Sequence, residues 1–289
     1  MVCVNPKPNL YPVWKQIEEH LEKEIGLNQI AFLTGYSDWH FHRFFKSVQK
    51  ENIKTYIKRL RLEKAAYELK ISNFPILEIG MEAGFSSHEA FTKAFKRVIG
   101  ITPSEFRKKH QIKMKDLSLS QLSLPSGLTK HSFQKKTISP FSILFIRHLG
   151  SYQLLPGPIP NSKEMIQLKT LFSKWDLLEF HHKWIGISQD DPDVTCKDNI
   201  RFDLGFTISE KFPSPPDGFG KQTIPGGNYL QIRYTGDYEN LPMIYDWILN
   251  QYCIVSKLKL KNNPPWECYL NPFEPIPEKR ITDIYIPLE

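Results

Sequence analysis

Residues 30–45 read IAFLTGYSDWHFHRFF, and their spacing predicts two short helices meeting at a sharp turn. Ile30 and Leu33 bury the first helix, Ala31 permits close approach, Gly35 makes the turn, and Phe41, Phe44 and Phe45 bury the second. Ser37 stands where its hydroxyl can cap that second helix. The pattern returns at 79–95, IGMEAGFSSHEAFTKAF, with Ile79, Gly80, Gly84, Phe91 and Phe95 in matching roles. One match would be weak. Two in register, each followed by a basic stretch, predict a pair of helix-turn-helix units in an all-α N-terminal domain.

The inward phenylalanines determine what faces out. Trp39, His42, Arg43 and Lys46 form the opposite stripe of the first unit, and aligning the phenylalanines puts Glu89, Thr92, Lys93 and Lys96 on the second. Each stripe carries a long basic residue at the same station, Arg43 or Lys93, suited to a guanine O6/N7 edge or a phosphate, and Glu89 can accept from a cytosine amino group. An exposed Trp39 needs an apolar partner such as a thymine methyl. A solvated helix face would show charged residues too; the pairing of the two stripes and Trp39 set these faces apart. A helix over about 54–70, with Lys54, Lys58, Arg59, Arg61 and Lys64 partly toward solvent, is predicted as a rigid spacer. One chain then reaches two successive major grooves, about 34 Å apart, with no need of a dimer.

Charge supports this division of labour. The 289 residues carry a net +7, but residues 1–112 hold 18 Lys/Arg against 12 Asp/Glu, whereas residues 131–289 hold 17 against 18. The N-terminal part is the one suited to a polyanion. Cys3, Cys196, Cys253 and Cys268 show no paired spacing of a zinc or redox motif, and His20, His40, His42 and His88 show no metal-ligand pattern. No apolar run approaches a membrane span, and MVCVNPKPNLYPVW is not a secretion signal. The expectation is a cytoplasmic protein with no membrane partner. With no glycine-rich phosphate loop, metal cluster or nucleophile motif, it is expected to use no cofactor and to be no enzyme.

Residues 10–110 resemble the AraC/XylS family of activators, in its MarA/Rob-like branch. The residues that carry the likeness are GYSDWHFHRFFK at 35–46, YIKRLRLEKAAYEL at 56–69 and ISNFPILEIGMEAGFSSHEAFTKAFKRVIGITPSEFRK at 71–108. The resemblance implies that Trp39, His42 and Arg43, with His88, Glu89, Thr92 and Lys93, enter the grooves of double-stranded promoter DNA, and that RNA polymerase is a partner. Glu89 and Asp38 stand where amides and basic residues are common in the family.

After a linker read at 113–130, the texture changes to β-rich runs between Pro and Gly clusters: FSILFIRHL, RFDLGFTI, NYLQIRYT, WECYL and DIYIPL. Helices are expected near 163–178 and 241–252. Residues 146–152, IRHLGSY, recur at 232–238 as IRYTGDY, which predicts two strand-helix-strand modules about a pseudo-twofold axis. The whole chain is thus expected to be α+β, with domains at 1–112 and 131–289.

In Trp266-Glu267-Cys268-Tyr269-Leu270, strand alternation sends Trp266, Cys268 and Leu270 to one face, read as packing on helices, and Glu267 and Tyr269 to the other. A carboxylate beside aromatic rings suits a cationic or polar-aromatic small molecule. Tyr229, Tyr285 and Trp247 are further candidates, although aromatic residues at such spacings also serve as core. Residues 131–289 resemble the GyrI-like effector-binding domains, through the two repeat copies, GISQDDPDVTCKDNIRFDLGFTI at 186–208, IPGGNYLQIRYTG at 224–236, PPWECYLNP at 264–272 and TDIYIPL at 282–288. The resemblance implies that Glu267 sits in an effector pocket, and that the LPGPIPNSK stretch at 155–163 covers or reshapes it. Two rival readings of this domain are hydrolysis of a small reactive compound by Glu267 with Tyr269, and a platform for protein interaction only.

Overall fold

A computed structural model describes residues 9–23, 26–110, 122–152, 163–174, 182–212 and 214–289. The linker residues 111–121, the stretch 155–162, Cys3, and the aromatic side chains at 172 and 175 lie outside the described residues. The chain divides into two compact units, the first of residues 1–109 with 214–221 and the second of residues 110–213 and 222–289.

The first unit is helical: α1 (Tyr11–Glu18), α2 (Leu27–Phe32), α3 (Asp38–Gln49), α4 (Ile53–Ile71), α5 (Ile76–Glu82), α6 (His88–Ile99) and α7 (Pro103–His110). Val13, Trp14, Ile17, Ile30, Phe41, Phe45, Ile53 and Tyr56 form one core, with Phe44 packed at its margin. Gly35 and Gly84 take left-handed conformations, φ 67° and 79°, which turn the chain between the helices of each unit at little steric cost. A Cβ on Gly80 would stand 2.8 Å from the Phe91 ring, so α5 and α6 approach as closely as a bare backbone allows.

Three expectations change here. Leu33 is 43% exposed, because α2 ends at Phe32 and Leu33 falls beyond its last turn. Ser37 occupies the N-cap position of α3, but its hydroxyl pairs with His40 Nδ1 at 3.0 Å instead of the helix backbone. Arg59 does not face solvent. Its guanidinium binds Glu51 at 2.7 Å and Glu63 at 2.9 Å, since α4 is packed on most of its circumference.

The second unit carries β1 (Phe133–Ile138), β2 (Phe141–Leu149), α8 (Lys163–Lys174), β3 (Trp184–Ser188), β4 (Arg201–Ile208), β5 (Gly220–Ile224), β6 (Gly227–Thr235), α9 (Leu241–Trp247), β7 (Trp266–Tyr269) and β8 (Ile281–Leu288). Each repeat holds two strands before its helix and two after; β1, β3 and β5 were the strands without a strong sequence signal. Leu128, inside the stretch read as linker, is buried among Leu230, Ile232 and Trp247. The turn that delivers it needs Gly127, at φ 87° and hydrogen-bonded to Thr235.

The strand order β1-β6-β8-β7-β3-β4-β2-β5 is symmetric about the β7–β3 junction. There Gly186 stands opposite Glu267 in antiparallel register. The repeated arginines mark the symmetry, since Arg147 pairs with its cross-strand neighbour Asp203 at 2.7 Å and Arg233 with Asp283 at 2.7 Å. Only Ser139 and Pro140 join β1 to β2, although these strands lie toward opposite ends of the order. In a flat sheet β1 and β2, six strand spacings apart, would be separated by about 29 Å, and a link this short reaches only about 11 Å. The sheet therefore curls until its ends approach, and at that junction a Cβ on Gly226 would lie 2.8 Å from Pro140.

Both helices cover one face. Ile244, Trp247 and Ile248 pack on Ile232, Tyr234, Ile284 and Ile286, and Glu164 of α8 meets His148 of β2 at 3.3 Å. On the other face Trp266 and Tyr285 stack at 3.8 Å, with Tyr229 and Phe141 edge-on to Trp266.

The close pairing of β2 with β4 yields a test. A Cβ on Gly205 would stand 2.1 Å from the Leu144 carbonyl oxygen, a backbone atom that cannot swing aside. Gly205→Ala is expected to destabilise the sheet unit by about 3 kcal/mol, the upper end of overpacking costs, measured as a lower urea midpoint.

Candidate functional site

In the helical unit, Trp39, His42, Arg43 and Lys46 are all exposed along α3, and His88, Glu89, Lys93 and Lys96 along α6. The Arg43 guanidinium lies over the Trp39 ring at 4.6 Å. Trp39 keeps 60% of its surface open despite this contact, so the pair presents a charge backed by a flat apolar plate. Thr92 departs from the expected stripe. It is half-buried with its hydroxyl oxygen shielded, because a short β-branched chain stays against its own helix where the longer His42 ring clears it. Ser87 caps α6 by accepting from the Ala90 amide at 3.2 Å. The Glu89 carboxyl is held below the usual range by its own backbone amide and the Ser87 hydroxyl, so it stays ionised at the start of this helix. Arg97, exposed one turn beyond Lys93, adds a cation that the sequence alignment of the two stripes did not bring out.

In the sheet unit, Glu267 and Tyr269 do share a face of β7, but it is the face the helices cover, contrary to the expected orientation of Trp266. Tyr245 of α9 donates to Glu267 Oε1 at 3.1 Å, and Tyr269 donates to Oε2 at 2.5 Å. Trp266 and Cys268 point to the opposite face, and Leu270 lies past the strand, 45% exposed. Alternation defines two faces without saying which one a helix will cover. Tyr229 and Tyr285 stack with Trp266 on that opposite face and do not meet Glu267. Trp247 lies on the helix side but within the apolar core.

The structure gathers other groups around Glu267. The tyrosines that close the two repeat copies converge here: Tyr238 packs edge-on to Tyr269 at 5.3 Å, and Tyr152 donates to the Asp190 carbonyl at 2.7 Å. Ser188 lies beside both Tyr152 and Tyr245. Gly186 makes the room, since a Cβ there would stand 2.4 Å from the Tyr269 hydroxyl and 2.6 Å from the Phe202 ring. The repeated terminal tyrosine was the available signal for Tyr152 and Tyr238. Tyr245 had none, because a helix periodicity does not say which polar tip reaches a strand.

Glu267 is 3% exposed. Burial pushes its carboxyl up from 4.5 to about 7, against the opposing pull of the hydrogen bonds from Tyr269 and Tyr245. Burial also raises Tyr269 and Tyr245, with the adjacent carboxylate adding to the effect. The arrangement is a carboxylate in an aromatic setting whose hydrogen-bond partners, among the described residues, are neutral hydroxyls. An entering cation would relieve its desolvation.

Among the described residues no group of three or more His, Cys, Asp or Glu side chains forms a candidate metal site. Among the same residues, no helix is long and apolar enough to cross a membrane.

Comparison with known proteins bears on both units. Residues 131–289 match the model of a GyrI-like small molecule binding domain, and residues 30–109 match that of a helix-turn-helix domain. The right origin-binding protein of Escherichia coli K12 is 38% identical over 96 residues, covering 33% of this chain and 32% of that protein. The chain thus matches about a third of that relative's length. The regulatory protein SoxS of Escherichia coli K12 is 35% identical over 91 residues, covering 32% of this chain and 85% of SoxS. A crystal structure of an AraC-type transcriptional regulator from Chromobacterium violaceum is 28% identical, covering 34% of this chain and 88% of that one, with a TM-score of 0.33.

The raised carboxyl gives a prediction with a definite sign. Between about 4.5 and about 7 the folded chain keeps a proton on Glu267 that the unfolded chain has released, so stability falls as pH rises through that window. The full penalty, of order 3 kcal/mol, is reached above the folded value. Glu267→Gln should remove it, making the variant more stable than the parent at about pH 8 and nearly equal at about pH 4, as read by urea unfolding.

Proposed function

The chain belongs to the AraC-type helix-turn-helix regulators over its N-terminal part and to the GyrI-like small-molecule-binding domains over residues 131–289, and from that membership we propose that a small molecule bound at Glu267 controls how α3 and α6 engage promoter DNA. The observation that carries the DNA reading is the matched pair of exposed stripes, each with a cation at the same station, on the second helix of each helix-turn-helix. Arg43, braced on Trp39, is the leading base-reading residue, with His42 and Lys46 beside it. His88, Glu89, Lys93 and Lys96 read or flank the second groove, and Thr92 contributes little through its shielded hydroxyl. α4 spaces the two helices so that one chain spans two major-groove segments. RNA polymerase is the partner through which promoter binding acts, in a cytoplasmic setting.

The effector assigned to the second unit is a cationic or polar-aromatic small molecule. Glu267 is its charged anchor, Tyr269 and Tyr245 orient the carboxylate, and Tyr152 and Tyr238 supply flanking rings. Tyr229, Tyr285 and Trp247 are assigned to packing. The family model that matches residues 131–289 is that of a small molecule binding domain, which favours binding over turnover, and in this reading the domain has no catalytic role or cofactor.

Arg43→Ala is expected to weaken binding to an operator selected from genomic fragments by about tenfold to a hundredfold, the worth of one bidentate guanine contact. The circular dichroism spectrum should not change. Equal affinity in a gel-shift titration would remove Arg43 from base readout.

For the effector site, calorimetry with a panel of hydrophobic aromatic cations should detect binding that weakens as pH falls below about 7, where protons compete for the Glu267 carboxylate. Glu267→Gln should lose this binding and retain operator affinity. If the parent binds none of the cations, or the variant binds them equally, Glu267 is a structural residue.

A further inference from the structure

We propose that Arg61 is the clamp that fixes the distance and rotation between the two recognition helices, and so makes this protein discriminate the spacing of its two half-sites. The inference rests on the two-groove reading above. Arg61 lies on α4, the helix shared by both halves of the unit. Its Nε donates to the Leu21 carbonyl at 2.6 Å and its Nη2 to the Lys23 carbonyl at 2.6 Å. Both acceptors belong to the segment after α1, which packs with the first helix-turn-helix. The remaining arm, Nη1, lies against the turn of the second helix-turn-helix, 2.8 Å from where a Cβ on Gly84 would stand. One planar group thus touches the first half through two carbonyls and the second half through a turn that has no side chain.

The contrast with Arg59, also on α4, shows what is unusual. Arg59 is neutralised by Glu51 and Glu63, a local arrangement that binds α4 to its own surroundings. Among the described residues the hydrogen bonds of Arg61 go to backbone carbonyls forty and thirty-eight positions away. A guanidinium holds two such acceptors in a fixed plane, and an ammonium, a point charge on a flexible stem, does not. Gly84 contributes by absence, because any side chain at φ 79° would both strain the turn and displace Nη1. Arg61 is therefore a positioning residue. It need not touch DNA, and it acts by removing freedom between α3 and α6.

Spacing discrimination is the readout that a general loss of stability would not imitate. Inserting one base pair between half-sites shifts the second by about 3.4 Å and rotates it by about 35°. A rigid pair of helices must then deform the DNA or release one groove. The full-length protein, with Arg61→Lys and Arg61→Gln, would be titrated against its selected operator and against the same operator with one base pair inserted. The parent should lose at least about tenfold on insertion, and both variants no more than about threefold. Arg61→Lys should keep the parent's salt dependence because the charge is retained. Thermal melts ensure that only folded protein is compared, and the lysine variant, which keeps stem and charge, decides the matter should the glutamine variant not fold. A lysine variant as selective as the parent, or one unable to fold, overturns the clamp, since the guanidinium would then be dispensable for spacing or needed for the fold itself. A parent indifferent to the insertion would instead overturn the two-groove reading beneath it.

Discussion

The sheet unit is organised around a buried carboxyl group whose hydrogen-bond partners, among the described residues, are two tyrosine hydroxyls. Glu267 stands at the junction of two repeated halves, opposite Gly186, where the pseudo-twofold axis crosses the sheet. Symmetry would place a similar residue on each side. A second carboxylate at this spacing would face strong like-charge repulsion under the helices, and a glycine there removes that conflict while making space for Tyr269. The repeat therefore supplies a symmetric frame, and the departure from symmetry at one pair of residues supplies the candidate site. Tyr245 and Tyr269, both from the second half, donate to this carboxyl group, and Tyr238 packs edge-on to Tyr269.

The helical unit depends on a different constraint, the burial of phenylalanine on one side of each second helix. With Phe41, Phe45, Phe91 and Phe95 inside, the opposite stripe faces solvent in all but Thr92, and its chemistry becomes the chemistry of the surface. Arg59 and Arg61 show how differently one helix can use two arginines. The first completes a buried ion network, and the second reaches across to carbonyls far away in sequence.

Much of this was legible in the residues. FSILFIRHL and RFDLGFTI coincide with β2 and β4, because long apolar runs bounded by turn residues leave little alternative. β3, β5 and β1 were faint, since WIGIS, GKQTI and FQKKTI are short and mix glycine or lysine with apolar residues; pairing with neighbours, not propensity, makes them strands. Glu267 and Tyr269 were legible as face-sharing neighbours, and their separation from Tyr229 and Tyr285 was not.

Local pattern alone defines the helices of the first unit and the stronger strands of the second, the two helix-turn-helix periodicities with their outward-facing residues, the internal repeat, and the sorting of β7 into two sets of alternate residues. These follow from bonds and contacts within a few residues, where 3.6-fold and twofold periodicities act. Long-range packing settles which face of β7 the helices cover, that β1 pairs with β6 across the repeat, that Tyr245 reaches Glu267, and that Arg61 binds carbonyls about forty residues away. Each of these is a contact between segments remote in the chain. A local pattern restricts the groups a segment can offer; it carries no information on which distant segment will come to meet them.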